Sequence, residues 1–353
     1  MYHSDTVNLD NESGMRQIDT QNMLQMTTNF QHHMHNAWLL GDKIPLSFSF
    51  QGTEIVVCGM GGSAIGGTML RSLLAPQADV PVLINRSYKL PTFVDKNSLV
   101  IVISYSGNTE ETISCFHQAI KRGCTTITAS SGGQLGNSTE QADINIDIPA
   151  GMQPRAALPF ILLPLARIME RMNITQPLGI SESIQTVSEL NATLSPSVPT
   201  ALNQAKQFAL MLTAPVLLYG FDVMAAAATR WRQQLNENTK LMAFDFSLPE
   251  ANHNELMAWE HIPPAHATCI FLRSPQDQDW ATKRFSFMTD IYQNAAQVIN
   301  VNAAGPTPLA QLMYTVHLGD MVSLYAALAR DIDPAPVKLI DDLKRFLAPT
   351  DDK

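Results

Sequence analysis

Glu54-Ile55-Val56-Val57-Cys58-Gly59-Met60-Gly61-Gly62-Ser63-Ala64-Ile65-Gly66-Gly67 runs from a short apolar strand through a glycine turn into a helix of small residues. An uninterrupted apolar strand is one buried on both faces, which is the condition of strands in parallel sheets. The pattern repeats downstream, where Ser98-Leu99-Val100-Ile101-Val102-Ile103 feeds Ser104-Tyr105-Ser106-Gly107-Asn108-Thr109-Glu110-Glu111-Thr112. Each turn opens a helix. Glycines allow backbone N–H groups to approach an anion, and the helix N-terminus adds partial positive charge. Gly61, Gly62 and the hydroxyls of Ser63, Ser104, Ser106 and Thr109 are therefore expected to cradle a phosphate without a metal.

A dinucleotide reading fails on spacing. Gly59-x-Gly61-x-x-Ala64 fits a relaxed fingerprint, but the next strand, Pro81-Val82-Leu83-Ile84-Asn85, is followed by Arg86 and not by a ribose-binding carboxylate. No Gly-Lys-Ser/Thr run supports a P-loop.

Working outward, strands are expected at 125–129 and 144–148, then again at 215–219, 268–272 and 297–301, with helices from about Val223, over 309–328 and over 334–347. Strands alternating with helices imply right-handed crossovers and a parallel sheet covered on both faces. The fold class is α/β: two tandem domains, each a parallel sheet sandwiched between helices. The expected division is a polar leader and helix over 1–35, a first domain over 36–176, a connecting segment over 177–198 and a second domain over 199–353. Only the first domain carries the serine and glycine loops.

Composition narrows the function. With 45% hydrophobic and 16% charged residues the 353-residue chain is globular, and its length suffices for two cores. A net charge of −9 argues against nucleic acid or an anionic membrane as partner. Cys58, Cys115, Cys124 and Cys269 form no Cys-x-x-Cys pair and read as buried thiols of a reducing compartment. No secretion signal or membrane-length apolar run is visible, so a cytoplasmic protein is expected.

Four further residues stand in distinctive surroundings. Arg155 lies in Pro154-Arg155-Ala156-Ala157-Leu158-Pro159, Glu237 in Asn236-Glu237-Asn238-Thr239-Lys240, His253 in Pro249-Glu250-Ala251-Asn252-His253-Asn254, and Lys344 in Ile340-Asp341-Asp342-Leu343-Lys344. Taken singly each has a bland account, as a helix-start arginine, a surface carboxylate, a capping histidine and a surface lysine. No second His or Cys stands at ligand spacing around His253, so no metal is expected.

Together with the two phosphate loops, these segments resemble the bifunctional phosphoglucose/phosphomannose isomerase family of the sugar-isomerase (SIS) superfamily, in order and across nearly the whole chain beyond residue 50. The resemblance implies two tandem SIS domains, a homodimer with sites shared between subunits, and cofactor-free aldose–ketose isomerisation of a hexose 6-phosphate through a cis-enediol. It implies that Glu237 moves a proton between C1 and C2, that Arg155 stabilises the enediolate, and that His253, from the neighbouring chain, and Lys344 assist ring opening. Val337 stands where the family has a threonine associated with accepting both C2 epimers, which leaves mannose 6-phosphate open. Two other classes remain: a non-catalytic SIS regulator, and an SIS isomerase of another phosphosugar.

Overall fold

The computed structural model describes residues 7–46, 48–261 and 267–347. Three helices come first: α1 (Glu12–Ile18), α2 (Met23–Thr28) and α3 (Phe30–Lys43). The first sheet is built from β1 (Glu54–Cys58), α4 (Gly61–Leu74), β2 (Val82–Asn85), β3 (Ser98–Ile103), α5 (Glu110–Lys121), β4 (Thr125–Ser130), the single turn α6 (Gly133–Gly136) and β5 (Ile144–Asp147). Helices α7 (Leu158–Arg171), α8 (Ile180–Leu194) and α9 (Gln204–Met211) lead to the second unit. That unit comprises β6 (Val216–Gly220), α10 (Val223–Gln234), β7 (Ala243–Ser247), β8 (Thr268–Arg273), α11 (Asp279–Tyr292), β9 (Gln297–Asn302), α12 (Pro308–Leu328) and α13 (Lys338–Leu347).

The sheets run β2-β1-β3-β4-β5 and β7-β6-β8-β9, and every ladder is parallel. The second order repeats the first four strands of the first, as expected of two units of one build. Strand β7, Ala243-Phe244-Asp245-Phe246-Ser247, had no clear signal in the sequence. It is an edge strand with only Ala243 fully buried, so no continuous apolar run marks it.

Alternation along the strands decides what each face meets. Ile55 and Val57, with Leu99, Ile101 and Ile103, face a core shared with Val216 and Leu218 of the second sheet. Val56, Cys58, Val100 and Val102 face Cys115 and Phe116 of α5. Tyr219, Cys269 and Phe271 face Phe285, Met288 and Tyr292 of α11. The two units thus bury one continuous cluster between their sheets, where α4, α7, α10 and α12 pack, rather than two separate cores. Contact is close between α10 and α12, where a Cβ at Gly319 would come within 2.2 Å of the Trp231 indole nitrogen.

The N-terminal stretch is not an exposed leader over its described part. Leu9, Met15, Met23, Leu24, Phe30 and Met34 all lie in the shared core; residues 1–6 lie outside the described set. The backbone of Val7 donates to the Ala329 carbonyl, and Asn191 of α8 donates to that of Thr28. Methionines spaced along polar helices supply the burial that strand-like alternation would have announced.

The topology also fixes the site. β1 is flanked by β2 on one side and β3 on the other, so the connections leaving β1 and β3 open a crevice at their carboxyl ends. Both glycine loops lie there.

Candidate active site

The two loops are tied together by their own polar groups. Ser63, 8% exposed, accepts a 3.3 Å hydrogen bond from the Tyr105 backbone through Oγ, leaving its O–H to donate elsewhere. Ser104 Oγ donates to Thr109 Oγ1 at 3.0 Å, and Ser106 Oγ accepts from Asn108 N at 3.3 Å. Thr109 caps α5. Gly61 holds φ +49° with no atom within 4 Å of where a Cβ would stand, so the crevice is open above it. Gly107, at φ +68°, is pressed on the Gly132 carbonyl, which would lie 1.7 Å from a Cβ. The Gly132-Gly133 turn after β4, unremarked in the sequence, thus buttresses the second loop.

Arg155 is brought beside the first loop, and a Cβ at Gly62 would lie 3.9 Å from its Cα. Tyr105 helps place it: the phenol donates to Pro149 O at 3.0 Å and accepts from Met152 N at 2.9 Å, fixing the chain that leads to Arg155. The arginine is 4% exposed and its guanidinium is almost fully used. Nε donates to Asn238 Oδ1 at 2.7 Å, and Nη2 donates to the carbonyls of Pro334 and Ala335 at 2.7 and 2.8 Å. Nη1 stands 3.7 Å from Glu237 Oε2. Burial pushes the arginine's pKa down, opposed by Glu237, yet a guanidinium stays charged across the physiological range.

Glu237 occupies a π-helical turn, Leu235–Thr239, at the end of α10, and its side chain is 31% exposed. Such turns swing a side chain off the regular helical face. Asn238, fully buried, meets the same guanidinium and links the site to α12 through a 2.9 Å bond from Nδ2 to Ser323 Oγ. Arg230, 1% exposed, grips Asp320 through two bonds of 3.0 and 2.9 Å and also donates to the Arg155 carbonyl. Arg155 is therefore held at both its backbone and its guanidinium. Sequence reasoning missed Arg230, Asn238 and Asp320, which lie on α10, its π turn and α12 and are joined to Arg155 only by the fold.

Lys240 bonds the Glu237 carbonyl and the Pro336 carbonyl, the latter at 2.8 Å, tying the π turn to the segment before α13. Desolvation and the nearby Arg155 charge lower its pKa. Val337 follows directly in that segment and is half-buried.

His253 and Lys344 both lie exposed on the surface of the chain. His253 ends the exposed edge of a 3₁₀ turn, Glu250–His253, and Lys344 lies exposed on α13. Neither makes a hydrogen bond or ion pair with Arg155 or Glu237. All four cysteines are buried free thiols. Among the described residues no three His, Cys, Asp or Glu side chains form a metal cluster, and no helix is long and apolar enough to cross a membrane.

Paired parallel sheets with serine and glycine loops at the switch point of the first define a sugar-isomerase (SIS) domain protein. Residues 50–169 match the SIS domain family and residues 201–347 the bacterial phospho-glucose isomerase C-terminal SIS domain. The fold is similar to that of the C-terminal domain of glucosamine-fructose-6-phosphate aminotransferase from Francisella tularensis, with TM-score 0.70 and 16% identity over 89% of this chain and 98% of that one. A bifunctional phosphoglucose/phosphomannose isomerase of Caldicellulosiruptor bescii is 34% identical over 337 residues, covering 92% of this chain and 99% of its own. One from Thermoplasma acidophilum is 32% identical over 88% of this chain and 95% of its own. The chain belongs to the bifunctional phosphoglucose/phosphomannose isomerase family.

Proposed function

We propose that this protein interconverts fructose 6-phosphate with glucose 6-phosphate, and with mannose 6-phosphate to the extent that Val337 permits, through a cis-enediol. The observation that carries the reading is the Arg155–Glu237 pair, 3.7 Å apart beside the Gly62 turn. Isomerisation needs a base at the carbon α to a carbonyl and a fixed cation for the oxyanion that develops. Glu237 takes the proton from C1 of the ketose and returns it to C2, while Arg155 stabilises the enediolate. Ser63, Ser104, Ser106, Thr109 and the backbone at Gly61 and Gly62 hold the phosphate, so binding energy at the far end of the sugar orients the reacting carbons.

His253 and Lys344 assist ring opening, with His253 supplied by a second subunit. Two features support a homodimer. His253 is exposed and makes no hydrogen bond or ion pair with Glu237, and α13 turns Leu339, Ile340, Leu343, Phe346 and Leu347 to solvent with no buried residue of its own. The domain division at 36–176 and 199–353, with 177–198 between, and a cytoplasmic location belong to the same reading. A sensor that only bound sugar phosphates would have no use for an arginine braced at 2.7 Å by Asn238 beside a carboxylate.

The test is incubation with fructose 6-phosphate in deuterated water, followed by NMR. Wild type is expected to give glucose 6-phosphate deuterated at C2; Glu237→Gln is expected to lose turnover about a thousandfold while still binding the ester. Unchanged turnover in Glu237→Gln would remove the base assignment.

A further inference from the structure

The segment carrying His253 is anchored by one side chain that the reaction does not use. Glu255 lies two residues beyond the histidine, and its carboxylate accepts three hydrogen bonds from the core of the second unit. Oε1 accepts from Tyr219 Oη at 2.7 Å and Trp259 Nε1 at 2.6 Å, and Oε2 accepts from Tyr292 Oη at 2.7 Å. Tyr219 and Tyr292 are fully buried and Trp259 is 6% exposed. The donors hold one another in place: Trp259 stacks on Tyr292 with centroids 4.0 Å apart, and Tyr219 meets Tyr292 edge-on at 5.6 Å. Burial and the adjacent carboxylate both push the two phenols' pKa values upward, so they remain donors at any working pH.

Each donor comes from a different element: β6, the 3₁₀ turn Glu255–Glu260, and α11. Trp259 closes the turn that carries Glu255, while Tyr219 and Tyr292 tie the carboxylate, and with it the backbone at 255, to β6 and α11. Asn254 continues the anchorage, accepting from Glu255 N at 2.6 Å and donating to Glu250 Oε1 at 2.8 Å. His253 lies within this bracket, and no hydrogen bond of its own holds its ring among the described residues. A ring so exposed has many rotamers, and only the backbone beneath it can limit where it reaches.

We propose that Glu255 is a positioning residue for ring opening: its carboxylate, held by Tyr219, Trp259 and Tyr292, sets where His253 is presented to the sugar. This rests on the ring-opening role of His253. The phosphate loops and the Arg155–Glu237 pair lie on other elements, so loss of the anchor is expected to spare substrate binding and proton transfer between C1 and C2.

The experiment compares two substrates. Fructose 6-phosphate must open its furanose ring. 5-Deoxyfructose 6-phosphate has no C5 hydroxyl, cannot close that ring, and needs only proton transfer. Glu255→Gln removes one acceptor oxygen and the charge. It is expected to lower kcat on fructose 6-phosphate about a hundredfold with KM within about twofold. Solvent-deuterium exchange at C1 of the open-chain analogue is expected to stay within about threefold of wild type. Tyr292→Phe, which deletes one donor and keeps the ring, should show the same split on a smaller scale, about tenfold, and guards against a folding artefact. Added to His253→Ala, Glu255→Gln should cause no further loss, because both act on one step.

Equal losses on both substrates, no loss on either, or multiplicative losses in the double variant would each overturn the proposal while leaving His253 its role. Wild-type turnover of fructose 6-phosphate by His253→Ala would instead remove the ring-opening role itself, and the proposal with it.

Discussion

At the residue scale, the division of labour follows from how each side chain is held. Arg155 has no freedom to move, because Asn238 and the carbonyls of Pro334 and Ala335 occupy three of its donors. It is a preorganised charge, which is what a developing oxyanion requires. Ser106 is different: it is exposed, and its Oγ already accepts from Asn108 N at 3.3 Å. In the proposed site its loss would remove one ester donor and no proton-transfer group. Ser106→Ala is therefore expected to raise KM for fructose 6-phosphate about tenfold, with kcat within about threefold; steady-state kinetics checks this. The loops that carry these hydroxyls were legible in the sequence because glycine turns after apolar strands are a local signal. Asn238 was not, since nothing local tells a buried bridging asparagine from a helix-capping one.

At the element scale, α12 is the structural axis, and two of its residues give opposite kinds of test. Gly319 lets Trp231 approach so that its indole can donate to Thr315 O at 2.8 Å. Alanine would gain about 1 kcal/mol of helix propensity but drive a methyl into a buried ring. Gly319→Ala is expected to destabilise by about 1–2 kcal/mol net, seen as a lower urea midpoint. His317 is fully buried, bonded through Nε2 to Asn191 Oδ1 at 2.9 Å, with Nδ1 unpartnered among the described residues. Burial pulls its pKa down from 6.5 to about 3. The unfolded chain therefore takes up a proton below pH 6.5 that the folded chain refuses until about pH 3. The stability associated with neutral His317 is complete above pH 6.5 and is lost as pH falls towards 3, at up to about 1.4 kcal/mol per pH unit. His317→Gln should flatten that slope relative to wild type in urea titrations at several pH values.

At the scale of the whole molecule, the two units share one core, and the proposed site draws on residues of both. Glu237 and Arg155 meet within the chain; His253 and Lys344 face outward. A dimer that completes each site with the neighbour's histidine makes a distinctive prediction. Mixing Glu237→Gln with His253→Ala protein under subunit exchange should restore up to about a quarter of wild-type activity, since random pairing makes half the dimers hybrid and each hybrid has one intact site. Assay of the mixture, with exchange verified by mass spectrometry, checks it; no recovery would place His253 in its own subunit's site.

The sequence by itself determined the α/β class, the parallel strands and the serine and glycine loops, because each depends on residues adjacent along the chain: apolar runs of strand length, and glycines where strand turns into helix. Only the tertiary structure decided that the methionine-rich N-terminal helices enter the core, that β7 adds an edge to the second sheet, and that Arg155 is clamped by Asn238 and residues 334–335 against Glu237. Those outcomes depend on packing and hydrogen bonds between segments distant along the chain, 83 and 180 residues apart for Arg155 with Asn238 and Ala335, and no local pattern encodes which distant partner a buried polar group will find.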